Sequence, residues 1–223
     1  RSYPTREPQR SIAFQMMKVK VEGLYETNPI VSLQKYKKLA EKSPSNIAAR
    51  YGLSLALVKN SSFEEAVNEF EALRPRLPNT ILMLAGYAEL LASAGQHQKA
   101  EKLVEKRLAI SPDNQPLSMI HAKTLIATKR FKEAEKILIR LSKLRPNDVD
   151  IWYELAETSG LAGNISGVHI ARAEYFVLHG AYTRSIQHLE YAKSLTRGNN
   201  PQLQAKLAQQ IQDLKTQVRL AKG

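Results

Sequence analysis

The chain has 223 residues, 33 basic against 21 acidic side chains, five histidines and no cysteine. A hydrophobic fraction of 43% with 24% charged residues excludes disorder, and the absence of any long apolar run excludes a membrane-spanning helix. Without cysteine, disulfide scaffolds, thiolate metal sites and cysteine catalysis are excluded as well.

The net charge of +12 suggests nucleic acid until its distribution is read. Residues 1–50 sum to +6, 51–128 to zero, 129–148 to +4, 149–180 to −3 and 181–223 to +5. A neutral zone and an acidic zone therefore break up any basic stripe. The chain opens on Arg1 with no apolar signal core, which reads as a piece of something longer. Residues 1–10 are accordingly expected to be a linker from a missing upstream domain.

Residues 11–24 and 29–42 predict a helix pair ending at Pro44, a degenerate unit over 11–46. From there a ladder organises the chain, with Pro44, Pro78, Pro112 and Pro146 spaced by 34 residues each time. Ala66, Ala100 and Ala134 repeat at the same interval, each twelve residues before one of those prolines. First helices are predicted over 47–59, 81–94, 115–128 and 149–162, each apolar at i, i+3, i+4 and i+7. In the second copy that face is Leu84, Tyr87, Ala88 and Leu91. A short turn follows at Asn60-Ser61-Ser62, Ala94-Gly95 or Ala162-Gly163. The second helix carries the small alanine that permits close approach and ends near the proline, where Asn or Asp caps the next helix. Neither helix buries its stripe alone, but stacked neighbours do. The units run 47–80, 81–114, 115–148 and then 149–200.

After Gly163 the spacing breaks, because Ser185 lies 51 residues beyond Ala134, one and a half repeats. Residues 166–179 are thus expected to serve two units at once, with a further helix over 183–196. In 201–221, Leu203, Leu207, Ile211, Leu214 and Val218 share one face of a capping helix, with the tail completing 201–223.

A 34-residue helix–turn–helix of this pattern resembles the tetratricopeptide repeat. Trp152, Leu155 and Ala156 match the first half of its consensus, and Ala66, Phe70 and Pro78 match the second. Arg50 and Ser118 depart from it, standing where a large apolar residue is usual. The resemblance implies an all-α fold, a right-handed superhelical solenoid of tetratricopeptide helix pairs with a C-terminal capping helix.

The ending is more specific. The run His169-Ile170-Ala171-Arg172-Ala173-Glu174-Tyr175-Phe176-Val177-Leu178-His179-Gly180, followed by Ala181 and Ile186-Gln187-His188-Leu189, resembles the beta-barrel assembly-enhancing protease family. These are periplasmic zinc metalloproteases with a C-terminal repeat domain. Arg1-Ser2-Tyr3-Pro4-Thr5 with Gln9-Arg10-Ser11-Ile12 is similar to that family's junction between protease and repeats, with Tyr3 where histidine is usual. The resemblance implies a periplasmic location. It also implies three protein partners: the chain's own protease domain, unfolded outer-membrane proteins and the barrel-assembly machinery.

A zinc protease needs H-E-x-x-H, two ligands on one helical face with a glutamate to activate water. His97, His121, His169, His179 and His188 provide no such pair. No catalytic, cofactor or metal residue is therefore expected in this chain, with zinc confined to the missing upstream domain. His121 and Trp152 read as core, Met16 and Met17 as packing, and His169 with Glu174 as a contact between adjacent helices.

Helical arrays bind partners on the wall made by their first helices. Counting along each unit selects Tyr51, Leu55, Lys59, Glu89, Met119, Lys123, Tyr153 and Glu157 as a protein-binding groove. Its apolar, basic and acidic mixture suits an extended, partly hydrophobic polypeptide. The two-carboxylate clamp of chaperone-tail-binding repeats is excluded, because Tyr51 and Leu55 replace the Lys and Asn it requires. A generic scaffold without a protease is the alternative function. RNA binding by the basic segment from Lys129 to Arg145 ranks below both, since basic and apolar residues alternate there as on an ordinary helix face. The basic ends also favour contact with an anionic surface.

Overall fold

The computed structural model describes residues 12–77, 79–198 and 200–220. The expected linker over 1–10, most of the junction motif and Pro78 lie outside the described residues. Among the described residues there are twelve α-helices and no strand.

The helices follow the ladder. They are α1 Ile12–Tyr25, α2 Pro29–Lys42, α3 Ile47–Lys59, α4 Phe63–Leu73, α5 Ile81–Ser93 and α6 His97–Leu108. Then come α7 Gln115–Ala127, α8 Phe131–Leu144, α9 Val149–Leu161, α10 Ile165–Leu178, α11 Tyr182–Leu195 and α12 Pro201–Leu220. A single 3-10 turn, Arg74–Arg76, extends α4.

Polar caps start the helices. The side-chain oxygens of Asn28, Asn46, Thr80, Asn114 and Asn164 each accept from a backbone N–H in the first turn, satisfying donors that the helix itself leaves orphaned. Asp148 holds the corresponding place before α9 without capping it. Its carboxylate instead accepts from Gln115 Nε2 at 2.7 Å.

Left-handed residues close the turns within each pair. Gly95, Gly163 and Gly180 have φ of +73°, +79° and +69°. Ser61 and Lys129 occupy the equivalent turns at φ 61° and 62°, a region that costs side-chain-bearing residues. In each turn the next N–H returns to a carbonyl five residues earlier, as with Gln96 to Leu91 at 2.8 Å and Arg130 to Leu125 at 2.8 Å. That bond satisfies a carbonyl at the helix end.

The chain divides into two compact units, meeting in sequence between Arg107 and Leu108. The first has a core of Met16, Val19, Tyr36, Tyr51, Phe70, Leu73, Tyr87 and Leu91 with their neighbours. Phe70 stacks on Tyr87 with centroids 4.9 Å apart and planes within 3°. The second holds two separate clusters, one around Leu138, Leu141, Ile151 and Leu155 and one around Leu189, Leu207, Ile211 and Leu214.

The small alanines behave as their spacing implies. Ala66, Ala100 and Ala134 have no exposed surface. Ser185 is equally buried at the start of α11. Helix α10 packs against both α9 and α11, which is how one helix serves two neighbours where the spacing breaks.

Candidate functional site

In the first unit the wall is built by α1, α3 and α5. Tyr51 corrects the expected groove: it is 2% exposed, with its ring edge-on to Phe70 at 6.1 Å. Its hydroxyl reaches α5, at an ordinary contact distance of 3.5 Å from where a Cβ at Gly86 would stand. Burial, and then the charge of Glu89, push its phenol up to about 12. Tyr51 is a core residue and lines no accessible wall.

Leu55 is half-buried against the same core. Lys59 is exposed, but its Nζ donates to the carbonyls of Gly23 and Glu26, the latter at 3.1 Å. It thereby ties the end of α1 to the end of α3. The exposed Glu89 carboxylate lies 3.6 Å from Lys20 Nζ on α1. Two of the expected groove residues therefore hold α1 in place.

Sequence reasoning missed α1 itself as part of this wall. Its exposed residues Phe14, Met17, Val21, Leu24 and Tyr25 stand one 34-residue repeat before Ala48, Tyr51, Leu55, Val58 and Lys59. The signal was available, because subtracting one more repeat from the wall positions lands on these apolar residues. Met16 is fully buried as expected, but Met17 is 43% exposed, which corrects its reading as packing.

In the second unit, Met119 is half-buried against the cluster of Leu138 and Ile151. Lys123 pairs with Glu154 at 3.3 Å and Glu157 with Arg172 at 2.9 Å. Tyr153 is 54% exposed, its ring 6.1 Å from that of Tyr175. Trp152 is half-buried against the core, and its Nε1 donates to the Pro146 carbonyl at 2.7 Å.

Tyr153 begins a chain of rings that the sequence reading did not assemble. Tyr175 lies 4.3 Å from His179 and 5.6 Å from Phe176. Phe176 lies 5.4 Å from His188, His188 5.1 Å from His169, and His169 5.2 Å from Tyr191. His169, Tyr175 and Phe176 share α10 and His179 caps its end, and the spacing of seven from His169 to Phe176 and four from Tyr175 to His179 puts them on adjoining stripes. His169 joins α10 to α11, as its Nδ1 lies 2.9 Å from that of His188. Burial first, then the Arg172 guanidinium, hold the His169 imidazolium below its usual range. Burial, His169 and Arg172 do the same to His188. Glu174 Oε1 accepts from Gln210 Nε2 at 3.1 Å, joining α10 to α12.

A cleft of about 230 Å³ opens among Phe70, Arg74, Thr80, Met83, Tyr87 and Leu103. It falls below the roughly 300–1,000 Å³ typical of small-molecule sites. Two more open clefts, of about 350 Å³ at Val21, Tyr25 and Tyr36 and of about 320 Å³ at Lys129, Phe131 and Leu161, reach the lower end of that range.

Comparison with known proteins agrees with this fold. Family models described as tetratricopeptide repeat match residues 51–115 and 91–158. The beta-barrel assembly-enhancing protease of Yersinia pestis is 27% identical over 150 residues, 66% of this chain and 30% of that protein. The chain therefore spans less than a third of that relative's length in the match. Among solved structures, a tetratricopeptide repeat protein from Parabacteroides merdae superposes with a TM-score of 0.55 at 15% identity, covering 92% of this chain and 86% of that one. YrrB, described as a repeat protein with an unusual peptide-binding site, gives a TM-score of 0.52 at 17% identity over 80% and 90% of the two chains. These structures share the fold. The chain carries tetratricopeptide repeats over residues 51–158 within an all-α array of helix pairs, an interaction scaffold that resembles the beta-barrel assembly-enhancing protease family.

Proposed function

We propose that this chain is the non-catalytic, polypeptide-binding part of a periplasmic metalloprotease with chaperone activity. In this reading it holds outer-membrane barrel precursors and docks on their assembly machinery. The protease domain lies upstream and carries the zinc, so no catalytic step is assigned to this chain. The observation that carries the reading is the match to the Yersinia pestis protease over two thirds of the chain. The wall residues add a physical reason, since Tyr153 and the rings beside it offer amphipathic contact area at small entropic cost.

The test is site-specific photocrosslinking in cells from Met119, Tyr153 and Glu157. Barrel precursors or assembly-machinery subunits should be captured from these positions and not from exposed positions of α8 such as Lys136. Capture from α8 alone would assign the interaction to the wrong face. A gene without an H-E-x-x-H region upstream would leave the generic scaffold as the function.

A further inference from the structure

His169 and His188 bring two imidazole nitrogens together on facing helices, and binding a polypeptide makes no use of that arrangement. Their Nδ1 atoms are 2.9 Å apart, with ring centroids at 5.1 Å and planes tilted by 39°. The rings thus meet almost end to end, each turning its Nδ1 toward the other. Tyr191 flanks His169 at 5.2 Å and Phe176 flanks His188 at 5.4 Å. Both histidines are half-buried. The helices that carry them are fixed beside one another, since Ala173 of α10 and Leu189 of α11 are buried in one cluster. Two ligand atoms are therefore held in register by packed backbone, which is what a metal site requires of its scaffold.

Neutral imidazole is the commonest protein ligand for transition metals. Burial first, and then neighbouring positive charge, hold both imidazolium forms below their usual range, so at pH 7.5 both rings are neutral. The spacing selects the ion. With metal–nitrogen bonds of about 2.0–2.1 Å, nitrogens 2.9 Å apart subtend an angle of about 90° at the metal. That is the cis angle of tetragonal nitrogen and oxygen sites, the preference of Cu²⁺ and Ni²⁺. Tetrahedral Zn²⁺ asks for a separation of about 3.3–3.4 Å. Histidine χ2 is a broad torsion, so a swing of each ring converges the two lone pairs at little cost. Among the described residues no carboxylate or further histidine joins the pair, which leaves the other coordination positions to water. The Arg172 guanidinium opposes a cation here, but Glu157 at 2.9 Å offsets its charge. The chain has no cysteine to compete for the ion.

We infer that His169 and His188 form a two-histidine site for a divalent transition-metal ion of the copper or nickel type, which clasps α10 to α11. The ion takes the place of the proton between the two Nδ1 atoms. Each neutral ring carries one proton, and with the ion bound that proton sits on Nε2 in both rings. Binding thus moves a proton within one ring and releases none. The inference is independent of the reading that the array binds polypeptide.

The test titrates the full chain with Ni²⁺ and with Cu²⁺ at pH 7.5, read by isothermal titration calorimetry and by thermal denaturation. Binding should saturate. Once free ion exceeds its dissociation constant several-fold, Tm should rise by roughly 2–4 °C or more. Zn²⁺ at the same concentration should raise it less. His169→Asn/His188→Gln keeps a neutral polar pair, and circular dichroism checks that its helix content is intact. That variant should bind roughly tenfold or more weakly and lose the Tm shift. Arg172→Gln should tighten binding by roughly a few-fold, because it removes a like charge. Electron paramagnetic resonance of the copper-loaded chain should show coupling to two imidazole nitrogens. Undiminished binding by the double variant overturns the proposal, as does coupling to a single nitrogen. Loss of the response in His97→Gln/His121→Gln/His179→Gln also overturns it, by assigning the ion to the other histidines.

Discussion

His169 on α10 and His188 on α11 face each other with their Nδ1 atoms 2.9 Å apart. The contact is a hydrogen bond only while one ring donates and the other accepts, so at least one must be neutral. The charged groups around the pair add to this demand. Arg172 on α10 disfavours protonation of both rings, and Arg172 itself pairs with Glu157 on α9. Arg184 on α11 lies over Phe176, itself stacked on His188.

Both imidazolium pKa values are lowered from 6.5. Between the folded and unfolded values the unfolded chain binds more protons, so stability rises with pH. The contribution is complete above about 6.5 and is lost as the pH falls through the folded values. Denaturant midpoints measured from pH 7.5 down to pH 5 should therefore decline. His169→Asn/His188→Gln should flatten that decline while preserving a neutral pair. An identical slope in wild type and double variant would place the acid sensitivity elsewhere.

Substitution with glycine at two turn positions should stabilise the fold. Ser61 and Lys129 hold φ values near +60° in turns where Gly95, Gly163 and Gly180 stand in other units. A side chain there costs about 1–2 kcal/mol, offset in part by the larger entropy a glycine loses. Lys129→Gly should raise the unfolding free energy by about 0.5–1 kcal/mol, read from urea denaturation. Gly163→Ala should lower it by at least as much. A loss of stability in Lys129→Gly would mean that its side chain makes compensating contacts.

The helices were legible because their punctuation is local. Proline, capping Asn or Thr and the turn residue recur at a fixed interval, and α2 runs over the predicted 29–42. The wall was legible only in part, because burial depends on what the neighbouring helix offers. Tyr51, Met119 and Tyr153 share one repeat position, yet the first is buried, the second half-buried and the third more than half exposed. Tyr51 turns inward with its ring edge-on to Phe70 of α4, a relation between residues 19 apart in sequence. The ring chain on α10 and α11 was hidden for the same reason. Its spacing on α10 is readable, but the partners His188 and Tyr191 lie on another helix.

Ser185 tests the small-residue rule. It takes the place on α11 that Ala66, Ala100 and Ala134 take on earlier second helices, and all four are fully buried. Its hydroxyl has no hydrogen-bond partner among the described residues. Ser185→Ala should thus be neutral or stabilising, by up to about 1–2 kcal/mol, since it removes a buried unsatisfied group without leaving a large cavity. Ser185→Leu should cost about 1–3 kcal/mol through overpacking. Chemical denaturation of the three chains decides it, and destabilisation by alanine would reveal a bonded hydroxyl.

Gly52 and Tyr36 make the sharpest steric prediction. A Cβ on Gly52 would lie 2.3 Å from both Cδ1 and Cε1 of the Tyr36 ring. That ring has little room to retreat, being 6% exposed with its hydroxyl donating to Glu22 at 3.1 Å. Burial, followed by the charge of Glu22, pushes the Tyr36 phenol up to about 12, so it remains a donor throughout the neutral range. Gly52→Ala gains helix propensity worth about 1 kcal/mol, but the clash should exceed this and leave a net loss of about 1–3 kcal/mol. In a Tyr36→Leu background the ring atoms are gone, and the same alanine should cost less or even stabilise α3. Thermal denaturation of the four chains closes the double-mutant cycle, where coupling of about 1 kcal/mol or more is expected for residues in direct contact. Additivity within experimental error would mean that α2 and α3 separate at little cost.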